Sequence, residues 1–223
     1  MLSKLLVTLC VILIYFINVD ISKKTFSADG GHLLCINENA KYFTFGNNEQ
    51  LVDLLWIRFL QEVDAYNEFK IAEAHLCPDN TSSWHFQLLN VAIDLDPKFY
   101  EMATTGPLTV SVTISDAKGA SILFDKVVKN FPNKWKILYQ AGYQAIFEEK
   151  DFKKAADLLT RAGQNGAPKW VFSLAGGLYN EVGMKALAES IYQYLVEKFP
   201  EDEVTRNLKQ KLDNKVKNFY EKK

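Results

Sequence analysis

Residues 138–145 and 172–179 carry the same alternation of large and small side chains 34 positions apart: Leu138 with Phe172, Ala141 with Ala175, Gly142 with Gly176, and Ala145 with Tyr179. The halves that follow match at 33, with Ala155 against Ala188, Leu159 against Tyr192 and Ala162 against Leu195, so one residue of difference falls in the turn between "EEKDF" and "VGMK". A repeat of this length is a single supersecondary unit that cannot bury its apolar face alone, and stacking copies of it is the way such a chain builds a core. The repeat also gives a reason for the paired glycines Gly176 and Gly177 inside a helical pattern, where each costs about 0.5–1 kcal/mol relative to alanine. The missing Cβ at Gly176 is expected to let the first helix of the unit approach the second near Ala188, while Gly177 points to the opposite side.

These positions resemble the tetratricopeptide (TPR) pattern, in which a large apolar residue opens helix A, small residues sit where helices A and B cross, and a proline closes the unit. Phe172, Gly176, Tyr179, Ala188, Tyr192 and Pro200 fill those roles in the last unit, with Leu195 where a small residue is commoner. An earlier unit supplies Gly106, Ala120, Phe124, Val127 and Pro132, although Pro107 removes a backbone donor and is expected to kink or delay its first helix. "SSWHFQLLNVAIDLDP" reads as a second helix with a Leu-Asp-Pro closure, and closures recur at Pro97, Pro132, Pro168 and Pro200. The stretch Asp53–Gln61, "DLLWIRFLQ", is similar to exported bacterial TPR proteins of unassigned function. The resemblance implies an all-α helical-hairpin solenoid with a concave, non-catalytic, protein-binding groove and no cofactor.

Four segments follow. Residues 1–21 hold Lys4 and an apolar run from Leu5 to Ile17 that fits a signal peptide or a short membrane anchor. No A-x-A cleavage pattern follows, and Lys23 and Lys24 stand where a leader peptidase prefers neutral residues, so an uncleaved anchor through residues 5–19 is favoured over a secreted form. The rest of the chain is then periplasmic or otherwise extracytoplasmic in a bacterial envelope. Residues 22–48 read as a linker with one short strand at "KYFTF". Residues 49–200 are the solenoid. Its opening helix, "EQLVDLLWIRFLQEV", is apolar on too many sides for a surface helix and is expected to be covered on more than one face; an insertion at 64–82 separates it from its partner helix. Residues 201–223 carry Val204, Leu208, Leu212 and Val216 as one apolar stripe on a charged helix, the pattern of a solenoid's cap.

Chemistry-bearing motifs are sparse. A net charge of −1 without a cluster of lysine and arginine offers no footprint for nucleic acid. No G-x-S-x-G, H-E-x-x-H, phosphate-binding loop or C-x-x-C occurs, and no small-molecule substrate is evident. His75, Cys77, Asp79 and His85 match no common zinc spacing, so no metal is expected. Cys35 and Cys77 could pair in an oxidising compartment, and Asn80-Thr81-Ser82 matches a glycosylation acceptor.

What remains is a surface. Tyr139, Tyr143 and Phe147 follow one another at i, i+4 and i+8 on the side of helix A away from Leu138, Ala141, Gly142 and Ala145, and Trp170, Asn180 and Glu181 continue that side into the next unit. Such a stripe serves either as core against a neighbouring helix or as a partner-binding strip. The competing functions are a structural subunit of a permanent complex and an enzyme that uses the 64–82 insertion.

Overall fold

A computed structural model describes residues 12–14, 36, 38–42, 44–69 and 83–213. Among these residues every regular element is helical. A 3₁₀ turn at Glu38–Tyr42 precedes α1 (Asn48–Phe69), α2 (Trp84–Leu95), α3 (Tyr100–Val112), α4 (Ala117–Asn130), α5 (Trp135–Gln144), α6 (Phe152–Gln164), α7 (Trp170–Glu181), α8 (Lys185–Lys198) and α9 (Glu203–Asp213). From α3 onward each helix packs on the next in the chain, and α9 returns onto both α7 and α8.

The turns inside the hairpins α3–α4, α5–α6 and α7–α8 share one construction. A residue in the left-handed region, Ser115 (φ 63°), Lys150 (φ 57°) or Gly183 (φ 80°), immediately precedes the residue that caps the second helix. Asp116 and Asp151 cap with their carboxylates, accepting from the backbone N–H of Gly119 and Lys154 at 2.8 Å each; such a cap satisfies a helix donor that has no intrahelical partner. Asp116 accepts as well from the Ser83 hydroxyl at 2.6 Å, and Ser83 itself caps α2 by accepting from Phe86 N–H at 3.1 Å. One aspartate therefore ties the start of α2 to the start of α4.

The residue that separates the 34 and 33 offsets has a specific location. After α5 the chain widens into a π-helical turn, Ala145–Glu149, whose i to i+5 bonds take up one more residue than an α-turn. The N–H of Asp151 donates to the Ala145 carbonyl at 2.9 Å across six residues, while its counterpart one unit later, Met184 N–H to Tyr179 carbonyl at 2.8 Å, spans five.

Buried side chains form one continuous cluster from Val52 and Phe59 through Leu88, Leu89, Leu123, Phe124, Ile137, Leu138, Leu159 and Leu195 to Leu208. The glycines fit this core in three different ways. A Cβ at Gly142 would stand 2.9 Å from Leu159 Cγ, so Gly142 lets α5 settle on its own hairpin partner α6. At Gly176 the nearest atoms are Leu208 Cδ1 and Cδ2 at 2.9 Å, with Ile191 at 3.4 Å, so this glycine makes room chiefly for the apolar stripe of α9 and not for Ala188. At Gly106 the obstacle is Leu89 of the preceding helix α2. Gly177 would meet only the Lys211 side chain, at 3.4 Å.

Four expectations need correction. "KYFTF" forms no strand: Lys41 and Tyr42 end the 3₁₀ turn, and Phe45 (φ 50°) and Gly46 (φ 84°) reverse the chain with left-handed dihedrals that a strand cannot contain. Pro107 does not delay its helix, because α3 starts at Tyr100 and stays helical through it to Val112. The opening helix is covered on one face only among the described residues: Val52 and Phe59 are buried, Trp56 stacks on Phe59 at 5.4 Å and meets Phe99 edge-on at 5.9 Å, but Leu54, Ile57 and Leu60 are exposed. α1 also runs to Phe69, so the segment expected as an insertion from residue 64 begins as helix.

No described helix is long and apolar enough to cross a membrane. Of the apolar run Leu5–Ile17, the residues Ile12–Ile14 are described, helical and exposed; the others, with Cys35, His75, Cys77, Asp79, the Asn80–Ser82 sequon, residues 70–82 and the tail 214–223, lie outside the described residues.

Candidate binding groove

The helices α3, α5, α7 and α9 share one side of the stack, and on it the aromatic residues form a continuous row. Trp170 meets Tyr139 edge-on with ring centroids 5.5 Å apart; Tyr139 lies 4.9 Å from Tyr143, and Tyr143 lies 5.3 Å from Phe147. The i, i+4 spacing on α5 puts its three rings in line, and Phe147 extends the line into the π turn. Behind the row, Ile137, Leu138, Ala141 and Ala145 are fully buried against the neighbouring helices, whereas Tyr143, Phe147 and Trp170 remain 38%, 49% and 43% exposed. Tyr139 is half-buried.

Tyr143 separates two hollows. One, about 580 Å³, lies between α3 and α5 and is lined by Leu108, Val112, Tyr139, Phe147 and the polar pair Ser111 and Gln144. The other, about 480 Å³, lies among α5, α7 and α9 and is lined by Trp170, Leu174, Val204, Asn207 and Lys211. Leu108 and Val112, exposed on α3, extend the apolar surface beyond the aromatic row.

The polar groups beneath this surface are held. Gln144 is buried; its Oε1 accepts from the Ser111 hydroxyl at 2.7 Å, while its Nε2 donates to the Ala117 carbonyl at 3.0 Å and to Ser121 Oγ at 3.1 Å, so one side chain joins α3, α4 and α5. Lys154 bridges Asp125 of α4 and Glu149 of the π turn, each at 2.8 Å. Burial alone would lower the Lys154 pKa, but the hydrogen bonds it donates to these two carboxylates, with their charge, outweigh it and hold the ammonium above its ordinary value. The Tyr139 phenol is pushed up to about 12, first by burial and then by its hydrogen bond with Tyr143, so it is neutral and donor-capable at physiological pH. Among the groove-lining residues Glu148 and Lys211 carry charge.

Of the residues singled out in the sequence, Tyr139, Tyr143, Phe147 and Trp170 are brought together. Asn180 is not; its Nδ2 donates to the Lys211 carbonyl at 3.1 Å and fastens the end of α7 to α9. The repeat residues Leu138, Ala155 and Ala188 are buried, Phe172 lies with its ring over Gly163, where a Cβ would stand 2.6 Å from it, and Pro200 opens the turn before α9. His85 is fully buried against the rings of Phe59 at 5.9 Å and Trp84 at 5.4 Å. No group of His, Cys, Asp and Glu among the described residues could hold a metal ion. Leu108, Val112 and Gln144 were not anticipated as groove residues; the i, i+4 pair Leu108–Val112 was the available signal.

Compared with known proteins, the chain matches no family model and no curated protein.

Proposed function

We propose that this chain is a non-catalytic, TPR-like solenoid scaffold whose groove binds a segment of another protein, presented from a bacterial membrane by residues 5–19. The observation that carries the reading is the row Trp170–Tyr139–Tyr143–Phe147, where three rings stay substantially exposed although the opposite face of α5 is fully packed. Large amphipathic rings bury much area at low entropy cost and satisfy their hydroxyls at a wet rim, which is why tyrosine and tryptophan dominate interface hot spots. Hollows on either side of Tyr143 suit two anchor side chains of an entering helix or extended peptide. The TPR-like assignment draws support from the shared turn at residues 115, 150 and 183 and from the contact of Gly142 with α6.

The test is cross-linking and capture from native membranes by the full chain, compared with Tyr143→Ala. Capture of a specific protein should fall by the ~2 kcal/mol of a hot spot, about thirty-fold, with little change in melting temperature. If that variant unfolds the domain without a selective loss of capture, the row is core and the reading fails.

A further inference from the structure

We infer that the hollow between α3 and α5 takes the guanidinium of an arginine side chain carried by the segment bound in the groove. The inference rests on that groove accepting a peptide and adds the chemistry of one of its anchors.

The first observation is where the chain places its own cations. Among the described residues Lys41 stands over Tyr42, Arg58 over Trp84, Lys134 over Tyr100, Lys136 over Trp135 and Lys169 over Phe199, at 5.6 to 6.0 Å from the ring centroids. None of them stands over Tyr139, Tyr143 or Phe147. These three rings line the hollow, and their tilts of 50° and 36° to one another keep them from stacking face on face. An aromatic ring attracts a cation held within about 6 Å of its centroid.

The carboxylates divide in the same way. Asp125 and Glu149 both pair with Lys154 at 2.8 Å. Glu148 is exposed, lines the hollow next to Phe147 and has no ion-pair partner among the described residues. The other polar groups do not compete for a cation: Ser111 and Gln144 are bonded to each other and to α4, and Gln140 adds a neutral amide. No lysine or arginine lines this hollow, whereas Lys211 lines the one on the far side of Tyr143, so like-charge repulsion directs a cationic anchor to the α3 side.

Arginine suits the lining better than lysine. Its guanidinium is planar and weakly hydrated, stacks on aromatic rings and presents a fork of N–H donors to a carboxylate. Its apolar stem can lie against Leu108 and Val112, both exposed on α3, while the head stays at the rim with Glu148.

The experiment titrates the full chain, with isotope-labelled leucine and valine methyls, with butylguanidinium, butylammonium and the neutral isostere butylurea, read by nuclear magnetic resonance. Butylguanidinium should shift the Leu108 and Val112 methyls in preference to those of Leu174 and Val204, which line the Lys211 hollow. It should bind roughly tenfold more tightly than butylurea, the combined gain of a ring contact and an exposed ion pair, and more tightly than butylammonium. Glu148→Gln and Phe147→Leu should each cut the preference over butylurea by about threefold and leave butylurea binding unchanged. Equal binding of butylurea, tighter binding of butylammonium, or an undiminished preference in both variants overturns the inference. The groove reading is judged separately, by protein capture with Tyr143→Ala: if capture is selectively lost there while butylguanidinium shows no preference, the groove stands and the arginine anchor is refuted.

Discussion

The hydroxyl of Tyr179 on α7 donates to the Asp157 carboxylate on α6 at 2.5 Å, a bond between consecutive units made at the position where the preceding unit carries only Ala145. Its phenol is pushed up to about 12, first by burial and then by that hydrogen bond. A phenol whose folded pKa is raised favours the neutral form when folded, so its stabilisation is intact below the ordinary value of 10.0 and is lost as pH rises toward about 12. Tyr139 follows the same sign in the same window. Denaturant titrations at pH 9 and at pH 11.5 should show a stability drop in the unaltered chain. Tyr179→Phe should lose about 1 kcal/mol at pH 7 and show a smaller further drop at high pH.

The two adjacent glycines should respond oppositely. Gly177→Ala meets only the flexible Lys211 side chain and should stabilise by up to ~1 kcal/mol through helix propensity. Gly176→Leu must push α9 away through Leu208 and should cost at least the ~1–3 kcal/mol of overpacking. Thermal melts of both variants decide it, and equal shifts would refute the assignment of helix faces.

Gln144→Leu removes a buried node and leaves the Ser111 hydroxyl without its acceptor, while the Ala117 carbonyl keeps the Ser121 hydroxyl as donor. An orphaned polar group costs about 1–3 kcal/mol, so chemical denaturation should show a loss in that range, while Gln140→Leu, one helical turn away and outside this network, should cost less.

Lys150 holds the left-handed dihedral for which the equivalent turn of the next hairpin uses Gly183. Replacing Lys150 by glycine relieves a conformation that side chains disfavour, and differential scanning calorimetry should find a melting temperature equal to or above that of the unaltered chain.

The helices were readable because the apolar period and the caps agree. Ser83, Asp116 and Asp151 each stand just before an apolar-periodic run and each caps it. Long-range contacts were not readable to the same depth. Nothing local tells Gly176 that its neighbour is Leu208, 32 residues away, and not Ala188, since both are apolar and correctly phased. Pro107 does not delay its helix because its ring fixes a helical φ, so the helix runs on past the missing donor. Three aromatics at i, i+4, i+8 fit either core or an exposed strip in sequence, because how much of Tyr143 and Phe147 is left uncovered depends on neighbouring helices distant in the chain. Asn180 was assigned to the groove by register alone, which cannot anticipate that a cap helix would offer it the Lys211 carbonyl.

The widened turn at Ala145–Glu149 makes chain length and unit register independent variables at that boundary. A residue gained or lost there changes only the diameter of one turn, because Asp151 N–H still closes on the end of α5 and α6 still starts beneath its aspartate cap. Inside one of the α-helices a single-codon insertion would rotate the later side chains of that helix by about 100° and turn part of its apolar face off the core. Between Ala145 and Glu149 it would instead move Phe147, the last ring of the row, past its neighbours. A change in chain length at this turn would therefore reshape the exposed aromatic row while the α6–α9 portion of the stack kept its packing.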